Sequence, residues 1–205
     1  MIGILNYGLG NIKAISNIFN RLGIENIFIN EKNDLSKINK LILPGVGTFD
    51  EAINLLEEKN FTDSLNQYIL NKAIPILGIC VGMQIMSNYS EEGVEKGFGW
   101  IPGKIIKFKN NQSLKNHRMP HMGWNDVIFK DNKLFNGIIN PEFYFLHSYY
   151  YEVENSNYII GATKYFCEFA SVINKDNIFA TQFHPEKSHQ SGIQLLKNFA
   201  ELKLC

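Results

Sequence analysis

Cysteine, net charge and long apolar runs are all scarce in this sequence of 205 residues. The three cysteines, Cys80, Cys167 and Cys205, form no paired framework, which is typical of the reducing cytosol rather than of secretion. Twenty basic and twenty acidic residues give zero formal charge, which argues against a nucleic-acid or anionic-membrane surface. No apolar run approaches the ~20 residues of a membrane span, and the start lacks the features of a secretory signal. We therefore expect a cytoplasmic globular protein with a single domain over 1–205.

The pattern of apolar residues changes half-way along the chain. The first ninety residues alternate short apolar runs, such as IGILNYG and KLILPG, with helical patterns in NIKAISNIFNRLG and from Thr48 to Lys72. The second half contains β-rich segments, including FYFLHSYYYEV and NIFATQF, and closes with a helix from about Ser188. The sequence therefore predicts an α/β fold with a mostly parallel central sheet flanked by helices and a β-rich C-terminal half.

Cys80 lies between two glycines at the end of a predicted strand, in GICVGMQ. Gly78 and Gly82 stand two residues on either side, and the amphipathic segment VGMQIMSNY follows. This is the pattern of a nucleophile elbow, in which the reactive residue sits on a sharp strand-to-helix turn. The free N–H groups at the start of the helix would favour a thiolate and stabilise an oxyanion. The alternative is an inert cysteine in a buried strand, and the pattern alone leaves both open.

His184 and Glu186 form the second candidate pair, in QFHPEKS. In an extended segment residues i and i+2 point the same way, so the Glu186 carboxylate can reach one imidazole nitrogen. The other nitrogen would face a thiol brought near by the fold. By itself His-Pro-Glu also fits an ordinary strand-ending turn. Only in combination with Cys80 does it predict a base and its orienting acid.

Two glycines follow another predicted strand, in LPGVGTF. Gly45 and Gly47 allow a loop that turns peptide N–H groups toward a ligand. A phosphate-binding loop is the rival interpretation. The segment lacks the third glycine of a dinucleotide fingerprint and the lysine of a P-loop, so it matches neither kind of phosphate-binding loop well.

With these motifs the chain resembles the class I, triad-type glutamine amidotransferases. Within that family it is most similar to the glutaminase subunits of imidazole glycerol phosphate synthases, which also share its NYGLGN, PHMGWN and HSY segments. The resemblance implies that Cys80 attacks the side-chain amide of glutamine, His184 carries the proton to ammonia and Glu186 holds the imidazole. It assigns the oxyanion hole to Gly45, Val46, Gly47 and Val81. It assigns glutamine binding to Gln84, Glu92, Ser148 and Tyr149.

The resemblance also implies a partner, a synthase subunit with a (β/α)8-barrel fold. The partner would receive ammonia and make imidazole glycerol phosphate, releasing an aminoimidazole carboxamide ribotide, in histidine biosynthesis. Its interface would include Asn11, Trp124, Tyr144 and Lys187. The alternatives to an interface role are ordinary packing for the Trp124 and Tyr144 rings and a solvent-exposed charge for Lys187. Tyr150 stands where many members of the family have an arginine. The interface is therefore expected to differ from the family's usual one at this position.

Other functions remain to be distinguished. A paralogous subunit that supplies ammonia to a surface-sugar synthase would carry the same residues. A free-standing cysteine hydrolase fits PHMGWN and the glycine loop less well, and a non-enzymatic binding domain would not need the complete triad. His117 and His121 are spaced like metal ligands, but Pro120 lies between them and no carboxylate is near. We predict no metal and no cofactor.

Overall fold

The chain folds around one large mixed sheet. The computed structural model describes residues 1–109 and 118–203. The strands of the described residues are β1 Ile2–Leu5, β2 Asn26–Ile29, β3 Lys40–Gly45, β4 Ile76–Cys80, β5 Tyr89–Ser90, β6 Gly103–Lys107, β7 His121–Asp126, β8 Ile128–Phe129, β9 Glu142–His147, β10 Tyr149–Val153, β11 Ile159–Lys164, β12 Glu168–Lys175 and β13 Ile178–Thr181. The α-helices are α1 Ile12–Arg21, α2 Phe49–Glu58, α3 Thr62–Asn66, α4 Val81–Gln84 and α5 His189–Glu201.

Strands β1–β4 of the N-terminal half and β13 from near the C-terminus form the parallel part of this sheet. The strands run in the order β2-β1-β3-β4-β13, and each neighbouring pair is parallel. Every residue of β1, β4 and β13 is buried, as expected for parallel strands covered on both faces. Gly45, Cys80 and Thr181 end three adjacent strands, so the carboxyl ends of β3, β4 and β13 meet at one edge. Ligand sites of α/β proteins commonly lie at such an edge.

Apart from the parallel pairs β4–β13 and β5–β6, the strands from β5 onward pair antiparallel. Strand β12 pairs antiparallel with β13, β10 and β11, and β10 pairs antiparallel with β6. Strands β7 and β9 form a separate two-stranded ribbon, in which Trp124 is opposite Tyr144 and His121 is opposite His147. The architecture is the predicted α/β class with a β-rich C-terminal half, and its central sheet is parallel in the first half and antiparallel in the second.

The helix after Cys80 is much shorter than the amphipathic segment VGMQIMSNY suggests. Helix α4 ends at Gln84, and the next carbonyl groups leave the helical pattern. The carbonyl oxygens of Ile85, Met86 and Ser87 accept hydrogen bonds from the N–H groups of Phe98, Ile101 and Gly99, at 2.8, 3.1 and 2.9 Å respectively. Because these bonds to a distant segment replace the helical ones, the apolar periodicity does not continue as helix.

The predicted helical region from Thr48 to Lys72 is interrupted once. Helix α2 ends at Glu58, and Asn60, with φ 56°, turns the chain before α3 begins. A π-helical turn at Gln67–Asn71 continues α3.

Among the described residues, no helix combines the length and the apolar character needed to cross a membrane.

Candidate active site

Cys80 ends strand β4 on a strained turn. Its backbone has φ 55° and ψ −111°, a region that residues with a side chain rarely occupy. Two glycines allow the turn. A Cβ on Gly82 would lie 2.0 Å from the carbonyl oxygen of Leu43, and one on Gly78 would lie 2.7 Å from the carbonyl oxygen of Gly82. The strand-to-helix turn predicted from the sequence is present, and close backbone contacts explain both glycines.

His184 and Glu186 reach the sulfur from the segment that follows β13. The backbone N–H of His184 donates to the carbonyl of Tyr144 at 2.9 Å, which ties this segment to β9. The His184 side chain lines the same pocket as Cys80. Its Nδ1 lies 2.9 Å from Oε1 of Glu186. Because an ionised carboxylate only accepts, Nδ1 carries the proton in this pair, which leaves Nε2 for the sulfur.

The charges of these three groups depend on one another. Burial by itself lowers the pKa of His184, but negative charge on Cys80 and the Glu186 carboxylate outweigh burial and hold this pKa well above its ordinary value. The His184 and Glu186 side chains are only 2% and 1% exposed, so water screens their interaction poorly. This arrangement can move a proton between the sulfur and the imidazole while the carboxylate holds the ring.

The glycine loop lies beside Cys80. Gly45 is the last residue of β3 and is opposite Cys80 in the sheet register. A Cβ on Gly45 would lie 2.4 Å from the backbone nitrogen of Gly82, so packing explains this glycine. The positive φ of the loop, 94°, occurs at Gly47, and Val46 between them is 36% exposed. The base of the loop is therefore tightly packed, whereas its tip has the conformational freedom.

Tyr7, in the NYGLGN segment, holds the residue before this loop. Its buried hydroxyl donates to the carbonyl of Pro44 at 2.8 Å. A Cβ on Gly10 would lie 2.6 Å from the Cβ of Pro44, so the NYGLGN turn packs directly against the loop base. Burial, followed by the charges of Cys80 and Glu51, raises the pKa of Tyr7, so the hydroxyl stays protonated and remains a donor.

The variant Tyr7→Phe is expected to lower the free energy of unfolding by about 1–3 kcal/mol. It leaves the buried carbonyl of Pro44 without its donor, and an unsatisfied buried polar group costs about that much. Denaturant unfolding measures the difference. Tyr89→Phe is the control because the Tyr89 side chain is exposed. Equal stability of Tyr7→Phe and the unsubstituted chain would show that this hydrogen bond does not hold the loop base.

The residues predicted to bind glutamine line one pocket with Cys80. The pocket has a volume of about 270 Å³, slightly below the range of about 300–1,000 Å³ of drug-sized ligand sites, and so suits a small substrate. It is lined by Val46, Gly47, Cys80, Val81, Gln84, Glu92, Pro120, Leu146, His147, Ser148, Tyr149 and His184. All four predicted glutamine-binding residues are among them. So are three of the four predicted oxyanion-hole residues. The fourth, Gly45, does not line the pocket and pairs with Cys80 in the sheet.

Glu92 also contacts the start of helix α2. Its Oε2 accepts a hydrogen bond from the N–H of Phe49 at 2.9 Å. Burial raises the pKa of Glu92, the N–H of Phe49 opposes this, and the nearby Asp50 charge adds to it. A cationic group placed in the pocket would offset that burial cost, which suits Glu92 to the amino end of an amino acid.

Two buried residues beside the site were missed by the sequence analysis. His147 is neutral because burial and the neighbouring His121 lower its pKa to about 3. Its Nδ1 lies 2.8 Å from the carbonyl oxygen of Tyr149, and its Nε2 lies 2.9 Å from Nδ1 of His121. Gln182 is fully buried, with its amide nitrogen 3.8 Å from Sγ of Cys80. Gln182 stands two residues before His184, and residues i and i+2 of an extended strand point the same way. This spacing could have indicated that Gln182 lies beside the site.

The predicted interface residues lie on the ribbon and next to it. Trp124 is 41% exposed and contacts Tyr144 edge-on across the ribbon. The ammonium of Lys187 lies 5.6 Å from the centre of the Tyr144 ring. Asn11 is exposed just before α1, and this helix packs against the turn at Pro185–Lys187. Sequence reasoning missed Met122 and Leu146, an exposed cross-strand pair that extends the same face.

His117, one of the two histidines considered as metal ligands, lies outside the described residues. Its partner His121 lies in the ribbon, where its ring stacks on Tyr165 and Phe145. Within residues 1–109 and 118–203, no group of three or more His, Cys, Asp or Glu side chains is arranged to hold a metal ion.

Comparison with known families and relatives gives a consistent result. Residues 4–202 match the family model described as glutamine amidotransferase class-I. A protein of Leptospira interrogans named imidazole glycerol phosphate synthase subunit HisH is 48% identical over 98% of this chain and 100% of its own length. A protein of Methanococcus maripaludis named HisH 2 is 46% identical over 97% of this chain and 98% of its own length. A protein of Campylobacter jejuni named HisH 1 is 42% identical over 98% of this chain and 100% of its own length.

Solved structures with low sequence identity share the fold. A crystal structure of a glutamine amidotransferase superimposes with a TM-score of 0.76 at 17% identity, covering 98% of this chain and 97% of that one. A chain of PurLQS from Thermotoga maritima superimposes with a TM-score of 0.73 at 14% identity, covering 97% and 96%. These likenesses confirm the predicted fold class.

Proposed function

Because the chain belongs to the class I glutamine amidotransferase family, we propose that it hydrolyses glutamine to glutamate and ammonia through a Cys80–His184–Glu186 triad. The buried His184–Glu186 hydrogen bond, with His184 lining the same pocket as Cys80, carries this proposal. The nucleophile and its base come from the ends of neighbouring strands, although 104 positions (184 − 80) separate them in sequence. A buried cysteine with only a packing role would not need an imidazole oriented by a buried carboxylate.

The proposed reaction has two halves. The Cys80 thiolate attacks the side-chain amide carbon of glutamine, and the His184 imidazolium gives its proton to the departing nitrogen, which leaves as ammonia. The resulting glutamyl thioester is then attacked by water, with neutral His184 taking the proton. Collapse of the second intermediate releases glutamate and returns the thiolate and the imidazolium. Glu186 keeps the ring oriented and stabilises its charge in both halves.

Backbone N–H groups are proposed to stabilise the oxyanion of each tetrahedral intermediate. Val81 follows the nucleophile at the start of α4, where its N–H has no helical partner. The second donor is a peptide N–H of the glycine loop. Since the loop base is packed against Gly82 and Tyr7, we assign the reorientation of this donor to Val46 and Gly47, with Gly45 as the fixed end.

Glutamine recognition is proposed to use the remaining lining of the pocket. The Glu92 carboxylate would hold the α-ammonium group. Ser148 and Tyr149, which follow β9 and begin β10, would provide the backbone edge along which the substrate lies. Gln84 completes this set.

We propose that the partner is a (β/α)8-barrel synthase subunit that uses the ammonia in histidine biosynthesis. The relatives at 42–48% identity, all named subunits of imidazole glycerol phosphate synthase, support this assignment. The exposed face of the ribbon, formed by Met122, Trp124, Tyr144 and Leu146, is the proposed docking surface together with Asn11 and Lys187. The Leu146 carbonyl lies 3.9 Å from Sγ of Cys80, so the backbone of the ribbon borders the place where ammonia would form.

Glutamate release from glutamine tests the proposal. The purified chain alone is expected to be slow. Addition of the barrel subunit of an imidazole glycerol phosphate synthase, with its nucleotide substrate, should raise the rate on the order of 10–100-fold, the size of typical coupling between sites. Full activity of the lone chain would contradict the partner-dependent loop. Activation only by a surface-sugar synthase would retain the triad but reject the histidine pathway.

Two lysine variants provide a matched control for this experiment. Lys187→Ala is expected to weaken activation or assembly more than it affects the KM for glutamine, because Lys187 lies beside Tyr144 on the ribbon face. Lys197→Ala removes an exposed lysine of α5 that pairs with Glu201, and should leave activation unchanged. Equal behaviour of the two variants would reject the proposed docking surface.

A further inference from the structure

Gln182 lies beside the sulfur of Cys80. The register of β4 and β13, in which Thr181 is opposite Ile79, brings the next residue, Gln182, level with Cys80. The backbone N–H of Gln182 donates to the carbonyl of Ser171 at 2.9 Å, which fixes its main chain. Its side chain is fully buried, and its Nε2 lies 3.8 Å from Sγ. A buried amide in this position has few ways to satisfy its donor other than the sulfur.

The direction of the hydrogen bonds around Gln182 follows from one backbone carbonyl. The oxygen of Tyr149 can only accept, so the group of Gln84 that lies 3.2 Å away is its amide nitrogen. The same nitrogen lies 3.1 Å from Oε1 of Gln182 and donates its second proton there. The Gln182 amide is thereby oriented with its oxygen toward Gln84 and its nitrogen toward Cys80.

The contacts of the sulfur differ in which protonation state they favour. The carbonyl oxygen of Leu146, 3.9 Å from Sγ, accepts a hydrogen bond from the thiol and repels a thiolate. The Gln182 amide donates, and a donor interacts more strongly with the negative thiolate than with the thiol. Once His184 has taken the proton, Gln182 is the side chain that still donates a neutral N–H to the sulfur.

We infer that Gln182 stabilises the Cys80 thiolate as a hydrogen-bond donor, and that Gln84 is a positioning residue that fixes the Gln182 amide for this purpose. This inference deepens the proposed function, because it rests on Cys80 being the nucleophile. It gives Gln84 a role in the substrate-free enzyme in addition to its proposed place in the glutamine pocket.

Alkylation of Cys80 by iodoacetamide across a pH series tests this role, since the reagent reacts with the thiolate. The background carries Cys167→Ala and Cys205→Ala, so Cys80 is the cysteine that reacts. In Gln182→Met, which removes the donor at similar volume, the pH of half-maximal rate should rise by about one to two units, the loss expected for a hydrogen bond to a charged group. In Gln182→Glu it should rise at least as much, because a carboxylate replaces the donor.

Gln84→Met should shift the same pH upward by less, because the Gln182 amide keeps its donor and loses only its orientation. Gln194→Met is the matched control, as Gln194 bonds to Asn198 on α5. A Gln182→Met protein that unfolds cooperatively but keeps the original pH profile would overturn the inference. So would equal shifts in Gln182→Met and Gln194→Met. Should Gln182→Met not fold, Gln84→Met decides, with a shift supporting the inference and an unchanged profile rejecting it.

The alkylation experiment separates this inference from the proposed function, because it contains no glutamine. Shifted profiles in the Gln182 and Gln84 variants, combined with an unsubstituted chain that releases no glutamate with any partner, would support the thiolate donor and reject the glutaminase. Normal glutamate release with unshifted profiles would support the glutaminase and reject the donor.

Discussion

Replacement of Cys80 by alanine is expected to lower kcat for glutamine hydrolysis by about 10⁶-fold, the effect of removing the nucleophile of a cooperative triad. Without the sulfur no glutamyl thioester can form, and the oriented His184–Glu186 pair has no thiol to deprotonate. The measurement is glutamate release at saturating glutamine with the barrel subunit present. Because alanine is only slightly smaller than cysteine, the variant is expected to fold. Its thermal unfolding midpoint checks this.

The matched control for this variant is Cys167→Ala. Cys167 is a free, half-buried cysteine in the turn between β11 and β12, outside the pocket. Its alanine variant is expected to hydrolyse glutamine at a rate close to that of the unsubstituted chain. Substantial glutamate release by a folded Cys80→Ala protein would mean that the reaction proceeds without covalent catalysis, and the proposed mechanism would be wrong.

Replacement of His184 by alanine is expected to lower kcat by roughly 10³-fold or more, as for loss of the general acid and base of a triad. The variant loses the proton donor for the departing ammonia and the positive charge that accompanies the thiolate. It also leaves the Glu186 carboxylate, whose Oε2 already has no hydrogen-bond partner within the described part of the chain, without its contact through Oε1. Single-turnover measurements with the partner present give the rate of the chemical step.

A double variant distinguishes a catalytic effect from simple damage to the site. Residues that act as one unit are strongly non-additive, so Cys80→Ala combined with His184→Ala should be no slower than Cys80→Ala alone. If the two losses multiply, the groups act independently, and a single Cys–His–Glu unit is ruled out.

The ribbon gives the proposed partner a direct route to the active site. The backbone of Tyr144 accepts from the N–H of His184 at 2.9 Å and donates to Oγ of Ser188 at 3.0 Å, while Oγ of Ser188 donates to the carbonyl of His184 at 2.6 Å. The Tyr144 ring belongs to the exposed face with Trp124. Movement of strand β9 on docking would therefore act on the main chain of His184 without an intervening flexible loop.

Local sequence patterns predicted most of the elements and the reactive groups. Short apolar runs correctly predicted β1 to β4, since buried parallel strands need continuous apolar residues over four to six positions. Gly78 and Gly82 correctly predicted the strained turn at Cys80. The hydrogen bond predicted between His184 and Glu186 is present, although Pro185–Lys187 forms a 3-10 turn and not the extended segment from which it was predicted. Each of these features depends on residues within a few positions of one another.

The amphipathic segment after Cys80 shows where local patterns fail. Its periodicity fits a helix, yet α4 is a single turn because residues 98–101 take up the backbone acceptors of residues 85–87. Nothing within the segment itself reveals this competition. Tertiary hydrogen bonds override helix propensity here because they satisfy the same backbone groups while burying Ile85 and Met86.

The sequence by itself determined most of the elements, the strained cysteine and the pairing of His184 with Glu186, because these depend on backbone sterics and on residues close together in the chain. Only the tertiary structure decided which distant groups assist them. Gln182 meets Cys80 across 102 positions, Tyr7 meets Pro44 across 37, and His121 meets His147 across 26. Such contacts depend on strand order and register, and these are set by how the whole sheet buries its faces rather than by any single segment.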